Sequence, residues 1–367
     1  MTVHLFIAPA GAGKTGFCID WVHAASRERP LAPVWVCLPN RAQVAAFHGR
    51  LAAAGGALGV EVGTFFDVYR ETLRSTGCTL AELEEPLQHR LLRAVIDQAA
   101  ENGSLRHYRA LRDKPGFGRA LRALIEELKQ AQVEPARLQR AVEDRGPRLQ
   151  ELADLYAAYQ RRLLDEGWAD GTGLGWLAAL ALERHPTLFS HWALAVVDGF
   201  DQLNRTQVAF LRELARRAQD LVITLTRSPQ GGRLAQRRFE QALARLQEAL
   251  QVEAKPLPGG RARRREVLAH LEANLFEPAA PVRAPGGALT CLEAPNRPTE
   301  VRAVLRWVKR QLVIDGLPPG EVAILARDVA AYAPLVLETA EEFGIPIRLA
   351  EGLPLTGNPA VAALLTL

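Results

Sequence analysis

A chain of 367 residues can bury two or three cores, and 48% hydrophobic with 23% charged residues is the balance of a soluble globular protein rather than a disordered or fibrous one. A net charge of +4 is compatible with a polyanionic partner without requiring one. Four scattered cysteines with no C-x-x-C pair support neither a zinc site nor a disulfide framework, and no apolar run approaches the roughly 18 residues of a membrane span. With no signal peptide before the first strand, a reduced cytoplasmic protein is expected.

The first element is also the most informative. Leu5-Phe6-Ile7-Ala8 is a short buried strand, Pro9 to Gly13 a glycine-rich turn, and Lys14-Thr15 the start of an amphipathic helix carrying Phe17, Trp21 and Val22. The turn nearly fits G-x-x-x-x-G-K-[ST], with Ala8 in place of the first glycine. Small residues let backbone N–H groups curl around a phosphate at the positive end of the following helix. Ala10, Gly11, Ala12, Gly13, Lys14 and Thr15 are therefore candidates for binding a nucleotide such as ATP, with Lys14 reaching the outer phosphates and Thr15 ligating Mg²⁺. The plain alternative is an ordinary glycine-rich turn of an α/β domain.

Val34–Leu38 is a second strand, residues 42–53 a helix broken by Gly55-Gly56, and Val60–Thr64 a third strand. From about 68 to 184 helical spacing takes over, in Leu87, Leu91, Leu92, Val95 and Ile96, then Leu121, Leu124, Ile125 and Leu128, then Leu149, Leu152, Leu155, Tyr156 and Tyr159. Four to six helices are expected there. Leu194–Asp198 resumes the α/β pattern, followed by a helix over 207–218 and a strand over 221–226. Residues 227–285 read as Arg- and Gln-rich helix with a basic loop at Arg261, Arg263, Arg264 and Arg265. Such a loop either contacts phosphates or is simply solvated. Glu127-Leu128-Lys129 and Glu253-Ala254-Lys255 read as solvated faces. A Pro/Gly-rich link at 278–287 precedes a second α/β unit: strand 289–293, helix 300–313, strand 322–325, helix 331–343, strand 345–349. The apolar run 360–367 looks like a helix cut short, as in a fragment of a longer chain.

Asp198 closes an apolar strand, the setting for an acid that holds Mg²⁺ opposite a phosphate loop, or equally for a solvated strand-end Asp. The segment from Asp198 to Gln207 resembles the D-E-F-Q-D-x-N-x-x-Q segment of superfamily-one DNA helicases, matching at Asp198, Phe200, Asn204 and Gln207. Gly199 stands where the helicases place the Glu that activates water, a general base worth roughly 10²–10⁴-fold in rate. Pro39-Asn40-Arg41-Ala42 and Gly63-Thr64-Phe65 resemble helicase segments that lie along single-stranded DNA, which makes Asn40, Arg41, Thr64 and Phe65 candidate DNA contacts, with Phe65 or Phe66 as a stacking face or both as core. Residues 224–228 stand where the helicases carry nucleotide-sensing Asp and Gln, and here lack both.

In order and spacing the whole chain resembles the N-terminal part of the B subunits (AddB, or RexB) of bacterial ATP-dependent helicase–nucleases. The motifs are the loop 10–15, Lys114-Pro115-Gly116-Phe117, Val197-Asp198-Gly199-Phe200, the stretches 294–301 and 321–328, and Phe343-Gly344-Ile345-Pro346-Ile347. The resemblance implies a RecA-like P-loop domain over 1–66 plus 186–285, a helical insertion over 67–185, and the start of a second RecA-like domain over 286–367. It implies a motor-degenerate subunit that binds single-stranded DNA, and ATP with Mg²⁺ at modest affinity, beside an AddA-type partner in double-strand-break repair. Neither nuclease carboxylates nor clustered cysteines occur here. Two rivals stand beside it. One is an active DNA-dependent ATPase with Asp201 as the only nearby carboxylate. The other is a P-loop kinase with a helical lid, against which the second α/β unit counts.

Overall fold

A computed structural model describes residues 2–78, 80–229, 231–259, 266–350 and 355–365, and the basic loop at 261–265 lies outside the described residues. The chain divides into two compact units, residues 1–283 and 284–367.

The first unit opens with β1 (Thr2–Ala8), α1 (Lys14–Glu28), β2 (Val34–Cys37), α2 (Arg41–Ala53), β3 (Val60–Gly63) and α3 (Phe65–Ser75). A mostly helical stretch follows: β4 (Ala81–Glu82), α4 (Glu85–Glu101), α5 (Pro115–Gln130), α6 (Pro135–Val142), α7 (Pro147–Asp165), β5 (Trp168–Ala169) and α8 (Gly171–Arg184). Strand and helix then alternate again in β6 (Leu194–Val197), α9 (Arg205–Leu214), β7 (Asp220–Thr226), α10 (Arg237–Leu250), β8 (Ala254–Pro256) and α11 (Glu266–Asn274).

Six of these strands form one parallel sheet in the order β3-β2-β6-β7-β1-β8, so stretches more than a hundred residues apart in sequence share it. Parallel strands joined by helical crossovers bury both faces, which accounts for the continuous apolar runs. The two-residue period divides them. Leu5, Ile7, Trp35, Cys37, Val197, Ile223 and Leu225 face a core built with α3, α8 and α9. Phe6, Val34, Val36, Val196 and Val222 face Cys18, Ile19 and Val22 of α1 and Phe47 of α2. Because all strands run the same way, the residues after β1, β2, β3, β6 and β7 lie along one edge. In open parallel sheets this is the edge where ligands bind.

The helical stretch has its own core, drawn from α4, α5 and α7 around Leu92, Ile96, Leu121, Ile125, Tyr156 and Tyr159. Helices α3 and α8 pack instead on the sheet, with Tyr69, Leu73, Leu174 and Leu182 in the sheet's core. Lys129, expected on a solvated face, is only 1% exposed: it donates to Asp170 Oδ2 at 2.6 Å, as does Tyr159 Oη at 3.1 Å. Asp170 also caps α8 by accepting from Gly173 N at 2.7 Å. This buried cluster ties α5 and α7 to α8. Burial pulls the Lys129 ammonium below its ordinary value, against the pull of Asp170.

Two further corrections concern strands. The edge strand β8, expected as part of a helical region, is three residues long and holds Lys255 and Pro256, composition that hides it from pattern reading. In the second unit, the runs 289–293, 322–325 and 345–349 form no strands. That unit is a pair of helices, α12 (Arg297–Val313) and α13 (Val329–Phe343), followed by the short α14 (Pro359–Leu365). Val322, Ile345 and Ile347 pack on the helix pair, while Leu325 is 93% exposed. The runs bury part of their side chains without acquiring a ladder partner among the described residues.

Candidate nucleotide and nucleic-acid edge

The loop between β1 and α1 turns through Gly11 (φ +71°) and Gly13 (φ +88°), left-handed conformations that glycine adopts without cost. Gly13 caps α1, whose first turn holds no acidic residue, so nothing there offsets the positive end of the helix. Lys14 Nζ folds back to donate to Ala8 O at 3.2 Å and Pro9 O at 3.0 Å.

Asp198 follows β6 directly, and its backbone N–H still donates to Cys37 O at 3.2 Å. The residue is 2% exposed. Oδ2 accepts from Thr15 Oγ1 at 2.7 Å, and Oδ1 accepts from Thr224 Oγ1 of β7. The structure thus brings the loop's hydroxyl and the strand-end acid into direct contact. Thr224 is not among the residues that sequence reasoning singles out, although a polar residue inside the apolar run 221–225 is the signal that could have found it. Beneath α1, burial pushes the Cys18 thiol up, and the charge of Asp198 adds to it.

The next residue, Gly199, has φ +82°, and a Cβ built there would meet Gln43 Oε1 at 2.5 Å and Pro39 Cδ at 3.4 Å. The place that a general-base Glu would need is occupied by the Gln43 side chain. Two other residues of this segment serve the fold: Asn204 and Gln207 form a reciprocal cap on α9, with Gln207 N donating to Asn204 Oδ1 at 2.8 Å and Asn204 N to Gln207 Oε1 at 2.9 Å.

The proposed DNA contacts sort differently. Asn40 caps α2, accepting from Gln43 N at 2.9 Å. Arg41 and Thr64 meet on one carboxylate: Arg41 Nη2 lies 2.8 Å from Asp67 Oδ1, while Thr64 N and Oγ1 donate to Asp67 Oδ2 at 2.7 and 2.8 Å. Burial works to raise the Asp67 carboxyl, and the Thr64 and Arg41 bonds outweigh it, leaving it below the usual carboxylate range. Phe65 does not offer a face: it is 4% exposed, wedged against Tyr69, Phe200 and Phe210 with ring centroids 5.6, 5.2 and 6.4 Å away. The amphipathic pattern of α3 turns Phe65 inward and leaves the next ring, Phe66, 46% exposed.

A six-stranded parallel sheet whose C-terminal edge carries a glycine-turned loop, Thr15 and Asp198 defines an α/β protein with a polar site at the strand ends. The chain belongs to the family described as ADDB, N-terminal, which matches residues 5–272. It is 28% identical to the B subunit of the ATP-dependent helicase/deoxyribonuclease of Moorella thermoacetica over 393 aligned residues, 98% of this chain. It is 27% identical to that of Symbiobacterium thermophilum, over 99% of this chain, and 25% to that of Bacillus subtilis, over 98%. The chain spans 33% of the length of each of these relatives. Among the described residues no helix is long and apolar enough to cross a membrane.

Proposed function

We propose that this chain is the helicase-like part of a DNA-processing helicase–nuclease subunit, with a RecA-like first unit that binds Mg²⁺-nucleotide and turns it over poorly. The observation that carries it is the contrast between adjacent residues. Asp198 is buried and bonded to Thr15, as a Mg²⁺-holding pair needs. Gly199, in left-handed backbone against Gln43, leaves no room for a water-activating carboxylate.

One carboxylate and one hydroxyl are the hard oxygen donors Mg²⁺ takes when phosphates and water complete its shell, so the residues present fit the ion. Thr15 and Asp198 would hold it, and bound there it would neutralise phosphate charge. The loop amides and Lys14 would hold the phosphates. Single-stranded DNA would cross the same sheet edge at Arg41 and Thr64, with Phe66 rather than Phe65 as the stacking ring. The names of the relatives support a partner subunit, AddA-type in this reading, and a place in recombinational repair of double-strand breaks.

Equilibrium nucleotide binding and steady-state hydrolysis, measured together with single-stranded DNA present, test this. Binding lost in Lys14→Ala, with negligible turnover, is expected. A turnover on the order of 10 s⁻¹ or faster that Lys14→Ala leaves intact overturns it.

A further inference from the structure

Strand β7 is the middle one of the three whose ends form the candidate site. β6, running into Asp198, lies on one side, and β1, running into the loop, on the other. A phosphate chain reaching from the loop to a cation at Asp198 has to cross the end of β7. The residue standing there is Arg227. Its backbone N–H continues the ladder by donating to Ala8 O at 3.0 Å, and the same carbonyl accepts Lys14 Nζ at 3.2 Å. Two cationic residues therefore converge on one peptide oxygen at the mouth of the loop, Lys14 by its ammonium and Arg227 by its backbone.

The Arg227 side chain is not spent on the fold. Its Nε is buried and has no hydrogen-bond partner, and no carboxylate pairs with its guanidinium among the described residues. Nη2 lies against Gly231, where a Cβ would meet it at 3.1 Å on a backbone of φ +68°. Buried guanidinium N–H groups are normally bonded, and one left unmade carries a desolvation cost that an acceptor arriving from outside offsets. The acceptor that suits a planar, permanently charged fork is a phosphate oxygen.

We propose that Arg227 binds the outermost phosphate of a nucleotide held at the loop, so that the site distinguishes nucleoside triphosphate from diphosphate. The inference rests on the nucleotide-binding reading above. It gives residues 224–228 a phosphate-reading residue of their own where the helicase Asp and Gln are absent.

The test is equilibrium binding of ATP, of ADP and of a labelled single-stranded oligonucleotide, with Mg²⁺, to the parent protein and to Arg227→Met, Arg227→Lys and Lys14→Ala, with thermal melts as a folding control. Arg227→Met should weaken ATP about tenfold or more, as expected for one charge-assisted bond, and ADP less than about twofold. Arg227→Lys should fall between and carries the result if Arg227→Met does not fold. Equal weakening of ATP and ADP, or no change in either, overturns the proposal. So does loss of oligonucleotide binding with ATP unaffected, which would place a DNA phosphate on Arg227. If the parent binds neither nucleotide, the nucleotide reading fails and this inference with it. If the parent binds, Lys14→Ala does not, and Arg227→Met behaves as the parent, only the role of Arg227 fails.

Discussion

Thr15 Oγ1 donates to Asp198 Oδ2 across 2.7 Å, although 183 positions separate the two residues. The contact closes the sheet over the whole helical stretch, and it sets the first prediction. Asp198→Ala leaves the hydroxyls of Thr15 and Thr224 without their acceptor, and Thr224 is 1% exposed. A cost of about 1–3 kcal/mol is expected, read as a lowered denaturation midpoint. Asp198→Asn keeps an acceptor for one hydroxyl and should melt closer to the parent. Both should lose the part of nucleotide affinity that depends on Mg²⁺. Nucleotide titrations with Mg²⁺ and with a chelator measure that part, and an unchanged difference between the two conditions refutes the metal role of Asp198.

Gly199→Glu restores the helicase residue type in the wrong backbone. A side chain at φ +82° is strained by roughly 1–2 kcal/mol, and its Cβ would displace Gln43. The variant should melt lower and gain no hydrolysis. Adding Gln43→Ala should recover the part of the loss due to crowding, because Gln43 is a flexible side chain, but not the backbone part. Thermal melts of the single and double variants separate the two. Hydrolysis appearing in Gly199→Glu would mean that the local backbone re-forms around the carboxylate.

The placement of Thr15 beside Asp198 is legible in the sequence because both follow apolar runs of strand length, and parallel strands end on one edge. Less local features are not. Phe65 and Phe66 are identical in composition, and only the helix phase that begins at Thr64 decides which ring is buried. The runs 289–293, 322–325 and 345–349 have strand composition, but a strand exists only where another backbone pairs with it, which composition does not encode. Lys129 shows the same limit from the other side. Nothing near it in sequence announces Asp170, its partner 41 residues on.

Glu151 of α7 holds three successive amides, accepting from Arg106 N at 2.9 Å, His107 N at 2.6 Å and Tyr108 N at 3.1 Å. Burial acts to raise its carboxyl, and these bonds outweigh it, so the folded-state value lies below the ordinary 4.5. A carboxyl depressed on folding contributes stability that is present above its unfolded value and lost as pH falls through the folded one. Glu151→Gln should therefore be less stable than the parent near neutral pH. The gap should stay constant down to about the unfolded value and close below it. Urea unfolding at a series of pH values checks this, and a gap that persists unchanged at acid pH rejects an ionised Glu151 as its source.

Arg41 and Thr64 are the side chains through which single-stranded DNA would be held, and both are engaged with Asp67. Arg41 is the accessible member, with a side chain 69% exposed against 21% for Asp67. An ion pair so exposed contributes little to stability, so a phosphate can take Arg41 from Asp67 at small cost. Arg41→Ala should then lower affinity for a labelled oligonucleotide and reduce the slope of log K against log salt by about 0.7, the value of one contact on a single strand. It should not move the melting temperature. The two rings give an internal control. Phe66→Ala should weaken DNA binding and leave stability nearly unchanged, because Phe66 is half exposed. Phe65→Ala should destabilise the fold by about 3–5 kcal/mol, because Phe65 fills the space between Tyr69, Phe200 and Phe210. Fluorescence anisotropy at several salt concentrations, alongside melts of each variant, reads both effects. If Arg41→Ala and Phe66→Ala bind DNA with the parent's affinity and salt slope, DNA does not cross this edge of the sheet.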